Sequence, residues 1–437
     1  MTTAPRWRNW GRSETITPAQ RLRPRSADEI AGIVRGAIEN ETVVKAVGSS
    51  HSFSGIAVAP GIQLDMSALA GVRSVDGNRV TLGAGTVLHD LPRMLDPLGL
   101  ALQNMGDIDA QTLAGATSTG THGTGGQFGG LATRITGATL VTGTGEVMTV
   151  DGTQNKELLP AVALGLGALG ILTDITIECV PSFVLSAIEA PEPLDTVLGE
   201  WEQRVDEADH FEFYWFPHTK AALTKTNTRL AGDAVTRPLS PAKRWFDDTL
   251  MSNTLFAGTT AFQRRMPNTT PAINRFSTRL TGNRRFSDRS YRVFVTDRTV
   301  RFREMEYAIP LDEIPDALRE IDALVEKNGW NVSFPVEVRA AAADNLWMST
   351  ATGRATGYIA VHRYFREDPA EYFGAVEKIM MARGGRPHWG KMNYRTAADL
   401  KPAYPKFGEF VKLRDRLDPS GVFANPYLDR VLGPRPS

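Results

Sequence analysis

Polar and apolar positions alternate along this chain in blocks whose period changes several times, and the changes mark its elements. Ser26 and Glu29 stand three apart ahead of an apolar-periodic stretch, the spacing of a capping box, which predicts a helix over Ala27 to about Glu39. Val43, Val44 and Val47 are β-branched and predict a buried strand that runs straight into Gly48-Ser49-Ser50-His51-Ser52. Asp65–Leu69 reads as a connector, Arg79–Gly83 as a strand, and a helix is expected near Val87–Leu98. The β-α-β order favours an α/β layer here. Ile135–Val150 reads as two strands joined at Thr142-Gly143-Thr144-Gly145.

After Pro181 the pattern shifts, which places a domain boundary near residue 182. Aromatic residues crowd Phe211–Phe216, and Leu230–Arg289 reads as a loop-like, Arg-rich stretch. Order resumes with a strand at Glu306–Pro310, a helix over Leu311–Asn328, strands at Val332–Arg339 and Gly357–Tyr364, and a helix over Glu371–Arg383.

A chain of 437 residues, 42% hydrophobic and 22% charged, fits an ordinary globular protein of two or three domains. Lys plus Arg and Asp plus Glu both count 49, so no net field draws nucleic acid or an anionic membrane to the chain as a whole. The lone Cys179, in an apolar strand-like run, has no partner for an internal disulfide and nothing argues for an oxidising compartment. The N-terminus shows no secretory pattern, and the longest apolar run, Leu158–Leu172, is interrupted by Pro160 and three glycines, too short and broken to span a bilayer.

Gly165, Gly167 and Gly170 match a dinucleotide fingerprint, but a helix-like segment precedes them and a β-rich one follows. That context is inverted, and a Rossmann reading fails. No histidine pair has metalloprotease spacing and no cysteine pair exists, so no metal is expected.

Three other sets of residues carry candidate chemistry. The Gly-Ser-Ser run before His51 can turn N–H groups and hydroxyls onto a phosphate, although such turns often hold nothing. Glu337 and Arg339, two apart on a strand, share one face, either as a solvated ion pair or as a cavity pair gripping a polyhydroxylated ligand. His388-Trp389-Gly390-Lys391 is either a surface loop with a snorkelling lysine or part of a site, His362 a core or a catalytic histidine, and Asp107 follows Gly106 at a loop tip.

The ordered set VGSSHS, NMGDIDAQTLAGATSTGTHGTG, ALGLGALGI, EMEYAIP, EVR and PHWGK resembles the sugar-1,4-lactone oxidases and dehydrogenases, of the L-gulono-1,4-lactone or D-arabinono-1,4-lactone type, in the vanillyl-alcohol-oxidase flavoprotein superfamily. The likeness spans nearly the whole chain, with alditol oxidases as cousins. It implies an α+β protein: a bipartite FAD-binding domain of the vanillyl-alcohol-oxidase (PCMH) type, residues 1–182 plus 384–437, with an inserted α+β cap, residues 183–383. It implies FAD bonded covalently to His51, with Ala46, Val47, Gly48, Ser49, Ser50 and Ser52 around the pyrophosphate. Gly106, Thr112, Gly115, Thr119, Gly120, Thr121, His122, Leu172, His388 and Lys391 would line the rest of the cofactor. Glu337, Arg339, His362, Lys391 and Asp107 would form the catalytic set.

The activity implied is oxidation of an aldono-1,4-lactone hydroxyl (L-gulono-, L-galactono- or D-arabinono-) to a keto lactone, as in ascorbate-type biosynthesis. Electrons would pass to dioxygen or to an acceptor such as cytochrome c. The alternatives are an alditol oxidase and a flavin-binding protein without turnover. A glycine at the position of Gly106 is associated in the family with dioxygen reaching the flavin, because a methyl there would fill the channel. One departure stands out: the family loop is Gly-Ser-Gly-His-Ser, and Ser50 replaces its second glycine. A cytoplasmic location is expected, with membrane association left open.

Overall fold

The computed structural model describes residues 4–244, 254–280, 282–296 and 298–435. The helix Ala27–Glu39 forms where expected, with Ser26 Oγ accepting from the Glu29 amide. It buries Ile30, Ala31, Val34 and Ala37, an i, i+1, i+4, i+7 stripe, against Val44, Ile62 and Leu64. Those three belong to a small parallel sheet ordered Gln20–Leu22, Ile62–Asp65, Val44–Val47. Among the described strands the remaining pairs are antiparallel, with parallel contact left only to isolated bridges such as Gly125 to Ala341. The strands Val72–Asp76, Arg79–Gly83, Ile135–Val141, Val147–Val150 and Ile171–Glu178 make a separate antiparallel sheet. The α/β layer read from the sequence is therefore confined to three strands. The helix expected over Val87–Leu98 is cut into short turns, with Pro92 and Pro97 each just inside the start of one.

The rest is built on an eight-stranded antiparallel sheet, ordered Arg284–Arg289, Val184–Pro193, Ala221–Leu230, His210–Trp215, Val336–Ala341, Thr356–Tyr364, Phe302–Pro310, Arg386–Pro387. Alternation assigns its two faces. Phe211, Phe213, Trp215, Met305, Tyr307, Ile309, Val336, Val338, Ile359 and Val361 fill one face with helices Ile314–Lys327 and Ala370–Met381. Each large side chain so buried contributes roughly 1.5–3 kcal/mol. Helix Ile314–Lys327 comes so close that a Cβ on Gly357 would lie 2.2 Å from Ile314 Cγ1, so only glycine fits. The residues of opposite parity carry Glu212, Tyr214, Glu304, Glu306, Glu337, Arg339 and His362, all on the other face.

Two expectations need correction. Leu230–Arg289 is not a loop, because it holds helices Phe256–Arg265 and Thr270–Leu280 and the strand Arg284–Arg289. The strand expected at Val332–Arg339 starts only at Val336, because Pro335 lacks the N–H for a ladder bond. Cys179 is fully buried, and burial pushes its thiol up to about 11, which leaves it inert.

Candidate active site

The Val44–Val47 strand delivers the chain into the His51 loop, and two features hold that loop in shape. Gly48 packs so tightly that a Cβ there would sit 2.3 Å from Thr112 Oγ1. Ser50 adopts φ +63°, the left-handed region that glycine prefers. A serine there costs on the order of 1 kcal/mol. The cost is offset because Trp7 Nε1 donates to Ser50 Oγ at 2.8 Å and the Trp10 amide donates to Ser50 O at 2.8 Å. The departure from the family loop is thus accommodated by two bonds from the N-terminal segment. The His51 ring stacks on Trp10, with centroids 5.6 Å apart and planes 18° from parallel. Burial, then the Lys391 charge, lowers its pKa, so the ring is neutral and nucleophilic at pH 7.

The loop opens onto a cleft of about 990 Å³, its open mouth included, lined by ten of the residues expected to hold a cofactor: Ala46, Gly48, Ser49, Ser50, His51, Ser52, Thr112, Gly115, Thr119 and Leu172. Among the described residues, none accepts from the peptide N–H groups of Ser49, Ser50, His51 or Ser52. Four consecutive free donors beside a left-handed residue make a nest for an anion, so this wall fits a pyrophosphate. The sequence reading missed Lys45, Gly167 and Phe423 on the same wall. Lys45 Nζ donates to Gly167 O at 3.0 Å and to Phe423 O at 3.1 Å, and burial pushes its pKa down to about 7.

At the far side stands the polar sheet face. Neither Glu337 nor Arg339 is solvated: relative exposures of 5% and 7% exclude the surface ion pair. Arg339 is gripped by three carboxylates, Nη2 reaching Glu337 Oε1 at 2.5 Å and Asp107 Oδ1 at 3.2 Å, and Nε reaching Glu212 Oε2 at 2.9 Å. Arg298 Nη2 meets Asp107 Oδ2 at 2.5 Å and Tyr214 Oη at 3.2 Å. Burial works against the Asp107 charge, but Arg298, Arg339 and Lys391 outweigh it and hold that carboxyl well below the usual range. Glu337 goes the other way: burial, aided by Asp107 and Glu212, pushes it up to about 7.

Lys391 Nζ meets Glu304 Oε2 at 2.5 Å, and Glu304 Oε1 lies 3.7 Å from His362 Nε2. Burial disfavours the ammonium, yet Glu304, Glu306 and Glu337 together raise its pKa. Burial lowers the pKa of His362, whose Nδ1 bonds Pro335 O. His122 Nε2 faces Glu306 Oε1 at 3.3 Å, and its ring stacks on Tyr358 with centroids 3.7 Å apart. His388 is buried, with its pKa pushed down to about 3, and Nδ1 accepts from the Gly390 amide at 3.1 Å. Trp389 is wholly buried, so the HWGK run is no surface loop.

Val47, Gly120, His388 and Lys391 do not line the main cleft; neither do Gly106, Thr121 and His122, which line a small apolar void beside it. A Cβ on Gly106 would sit 3.0 Å from His122 O, so that glycine also has a packing reason. Two triplets, His122-Glu306-His388 and Glu304-Glu337-His362, bring ligand atoms within 4.8 Å of one another. In the second, Lys391 and Arg339 already neutralise the carboxylates, the role a cation would take.

Glu212, Tyr214, Arg298, Glu304 and Glu306 were not singled out from sequence. Period-two parity within FEFYWF and EMEYAIP was the available signal, since it sets these acids and the tyrosine opposite the core-facing aromatics.

A family model described as D-arabinono-1,4-lactone oxidase matches residues 175–431, and one described as FAD binding domain matches residues 18–151. The chain is 41% identical over 435 residues to the L-gulono-1,4-lactone dehydrogenase of Mycobacterium tuberculosis, covering 99% of this chain and 100% of that protein. It is 32% identical to the L-gulonolactone oxidase of Bos taurus, with 98% of each covered. The cholesterol oxidase of Brevibacterium sterolicum superposes with a TM-score of 0.79 over 98% of this chain and 96% of that one, at 18% identity, a likeness of fold alone. Family match, relatives and a nest that fits a pyrophosphate converge: the chain belongs to the D-arabinono-1,4-lactone oxidase family of FAD-binding proteins.

Proposed function

We propose that this protein is an FAD-dependent oxidoreductase that converts the CH–OH group of an aldono-1,4-lactone to a ketone. The observation that carries the reading is the position of Lys391, which joins the two halves of the site. It pairs with Glu304 on the polar sheet face, and its Nζ lies 5.4 Å from the ring of Phe53, two residues after His51. A hydroxyl-binding charged face therefore abuts the anion-binding loop.

FAD, when bound, supplies the acceptor for a hydride. The chain's own groups bind, orient and deprotonate. Glu337 Oε1 already accepts from Tyr214 and Arg339, and among the described residues no donor meets Oε2, which leaves it for a substrate hydroxyl. With a pKa near the working pH, Glu337 is the proton acceptor in this reading. Arg339 and Lys391 are the cations that stabilise negative charge on the reduced cofactor. Asp107 and His362 position Arg339 and Glu304. His51, neutral and beside the nest, is the residue for a covalent flavin bond. No metal enters this scheme.

The eight-stranded sheet spanning residues 184–387 supports a cap between the two parts of an FAD domain, 1–182 and 384–437. Dioxygen, or an acceptor such as cytochrome c, reoxidises the protein, and Gly106 favours dioxygen. A cytoplasmic location accords with the buried, unpaired thiol. No helix among the described residues is long and apolar enough to cross a membrane.

The test is direct. Purified yellow protein, made anaerobic and mixed with L-gulono-1,4-lactone, should bleach. Bleaching by xylitol alone would move the assignment to open-chain polyols, and bleaching by neither would leave only a flavin-binding protein.

A further inference from the structure

The polar sheet face and the loop at Asp107 close a ring of five side chains. Arg298 Nη2 donates to Tyr214 Oη at 3.2 Å, Tyr214 Oη donates to Glu337 Oε1 at 2.8 Å, and Glu337 Oε1 meets Arg339 Nη2 at 2.5 Å. Asp107 completes the circuit, with one oxygen 3.2 Å from Arg339 Nη2 and the other 2.5 Å from Arg298 Nη2. Glu337, Arg339, Asp107 and Tyr214 have a part in the scheme above, and Arg298 has none.

The two arginines of the ring are not equivalent. Arg339 is held by three carboxylates and its side chain is 8% exposed. Arg298 meets Asp107 alone among the described carboxylates, and its side chain is 26% exposed, the most open of the four charged members. Its Nη2 is taken by Asp107 and Tyr214 and its Nε is enclosed, so the outward end is Nη1, which has no partner among the described residues. Arg298 is also held in place. It follows helix Ser290–Phe294, and the Thr296 amide donates to Asp107 O at 3.0 Å, so backbone and side chain of one segment fasten to the same aspartate.

The ring therefore sets a donor beside an acceptor. Glu337 Oε2 is open to accept, Arg298 Nη1 is open to donate, and a single phenol oxygen bonds to both side chains. An α-hydroxy lactone presents the complementary pair on neighbouring carbons: a hydroxyl that donates and a carbonyl oxygen that only accepts. A guanidinium, all donors in one plane, suits that carbonyl. We propose that Arg298 is a specificity-determining residue, one that reads the carbonyl oxygen of an α-hydroxy lactone while Glu337 holds the hydroxyl on the adjacent carbon, an assignment that rests on the lactone-oxidising reading. No bond is made or broken at Arg298; it acts by binding and orientation.

The experiment compares L-gulono-1,4-lactone with 1,4-anhydro-L-gulitol, which has the same ring and hydroxyls and a methylene in place of the carbonyl. Anaerobic stopped-flow reduction of the yellow protein gives Kd for the lactone, and competition against it gives Kd for the anhydro ring. Wild type should bind the lactone about tenfold or more tightly than the anhydro ring, because a donor left without its acceptor rejects the analogue. Arg298→Met should weaken the lactone by about that factor and leave the anhydro ring within about twofold, with a smaller change in the limiting reduction rate. Arg298→Lys keeps a charge beside Asp107 and the fold with it, yet should also shrink the ratio, because an ammonium cannot serve Asp107 and a carbonyl in one plane. A wild-type ratio near one, equal weakening of both ligands, or a ratio unmoved in Arg298→Lys overturns the assignment and makes Arg298 a brace for Asp107. Wild type reduced by xylitol but not by the lactone overturns it together with the reading beneath it, a result distinct from the others because it appears before any substitution.

Discussion

The phenolic hydroxyl of Tyr214 donates to Glu337 Oε1 at 2.8 Å, from a directly paired position on the neighbouring strand. This donor stabilises the charged form of a carboxylate that burial has pushed up to about 7. If ionised Glu337 takes the hydroxyl proton, kcat/KM for flavin reduction rises with pH through about 7. Tyr214→Phe removes the donor, raises the pKa further, and moves that limb to higher pH with a rate loss of a few-fold. Stopped-flow reduction across pH 5.5–9 reads it, and an unmoved limb would assign the titration to another group.

Arg339 neutralises a buried cluster, so its loss should be felt beyond the chemistry. Arg339→Ala leaves Asp107, Glu212 and Glu337 facing one another, and removing one partner of a buried pair typically costs about 3–5 kcal/mol. Turnover should also fall roughly 100-fold or more, as when a preorganised donor is removed. Urea unfolding and single-turnover reduction separate the two losses. A variant with full stability and a wild-type reduction rate would return Arg339 to a spectator role.

Covalent attachment has a simple readout. Acid-precipitated wild type run on a denaturing gel should keep flavin fluorescence in the protein band, and His51→Ala should release it to the supernatant. Fluorescence lost from both would mean that His51 holds no flavin bond.

Gly106→Ala tests oxygen access. A methyl there presses on His122 O at 3.0 Å, and the His122 ring contacts Glu306, so a small drop in melting temperature is expected as well. Protein reduced anaerobically with lactone and mixed with aerated buffer should reoxidise at least tenfold more slowly in the variant. Slow reoxidation of wild type with no further slowing in the variant would favour cytochrome c or a dye as acceptor.

Lys45 couples stability to pH in an unusual direction. Its folded pKa of about 7 lies below the ordinary 10.5, so between those values the unfolded chain holds a proton that the native state has released. Native stability on account of this group therefore rises with pH across that window and is flat below it. Lys45→Met should abolish that rise, measured as the difference in denaturation midpoint between pH 7 and pH 10, and weaken flavin retention by freeing Gly167 and Phe423.

Much of this site is legible in the sequence. The capping box at Ser26, the strand into His51 and the Glu337–Arg339 pair are local patterns, and local patterns survive folding. Whether Glu337 and Arg339 faced solvent was not local: it depends on Tyr214 and Glu212, over 120 residues away, and on the strand order of the sheet. The hairpin at 256–280 was misread as loop for a related reason, since its apolar stripe points away from the core and its buried face is polar. Lys45 escaped notice because a lysine in a strand reads as solvent-facing, whereas its acceptors are carbonyls at Gly167 and Phe423.

The His51 loop is closed from behind by residues more than 300 positions further along the chain, Trp389, Gly390 and Asn425. The Phe53 amide donates to Gly390 O, Ser54 Oγ to Trp389 O, and Asn425 Nδ2 reaches the carbonyls of Gly55, Ile56 and Val58. A ribosome must therefore release the chain through Asn425 before the cofactor-holding wall exists, since its two sides are made more than 300 residues apart. Flavin loading is on this account a late event in the life of each molecule, and translation that stops short of Asn425 leaves a chain with the histidine but no seat for its prosthetic group.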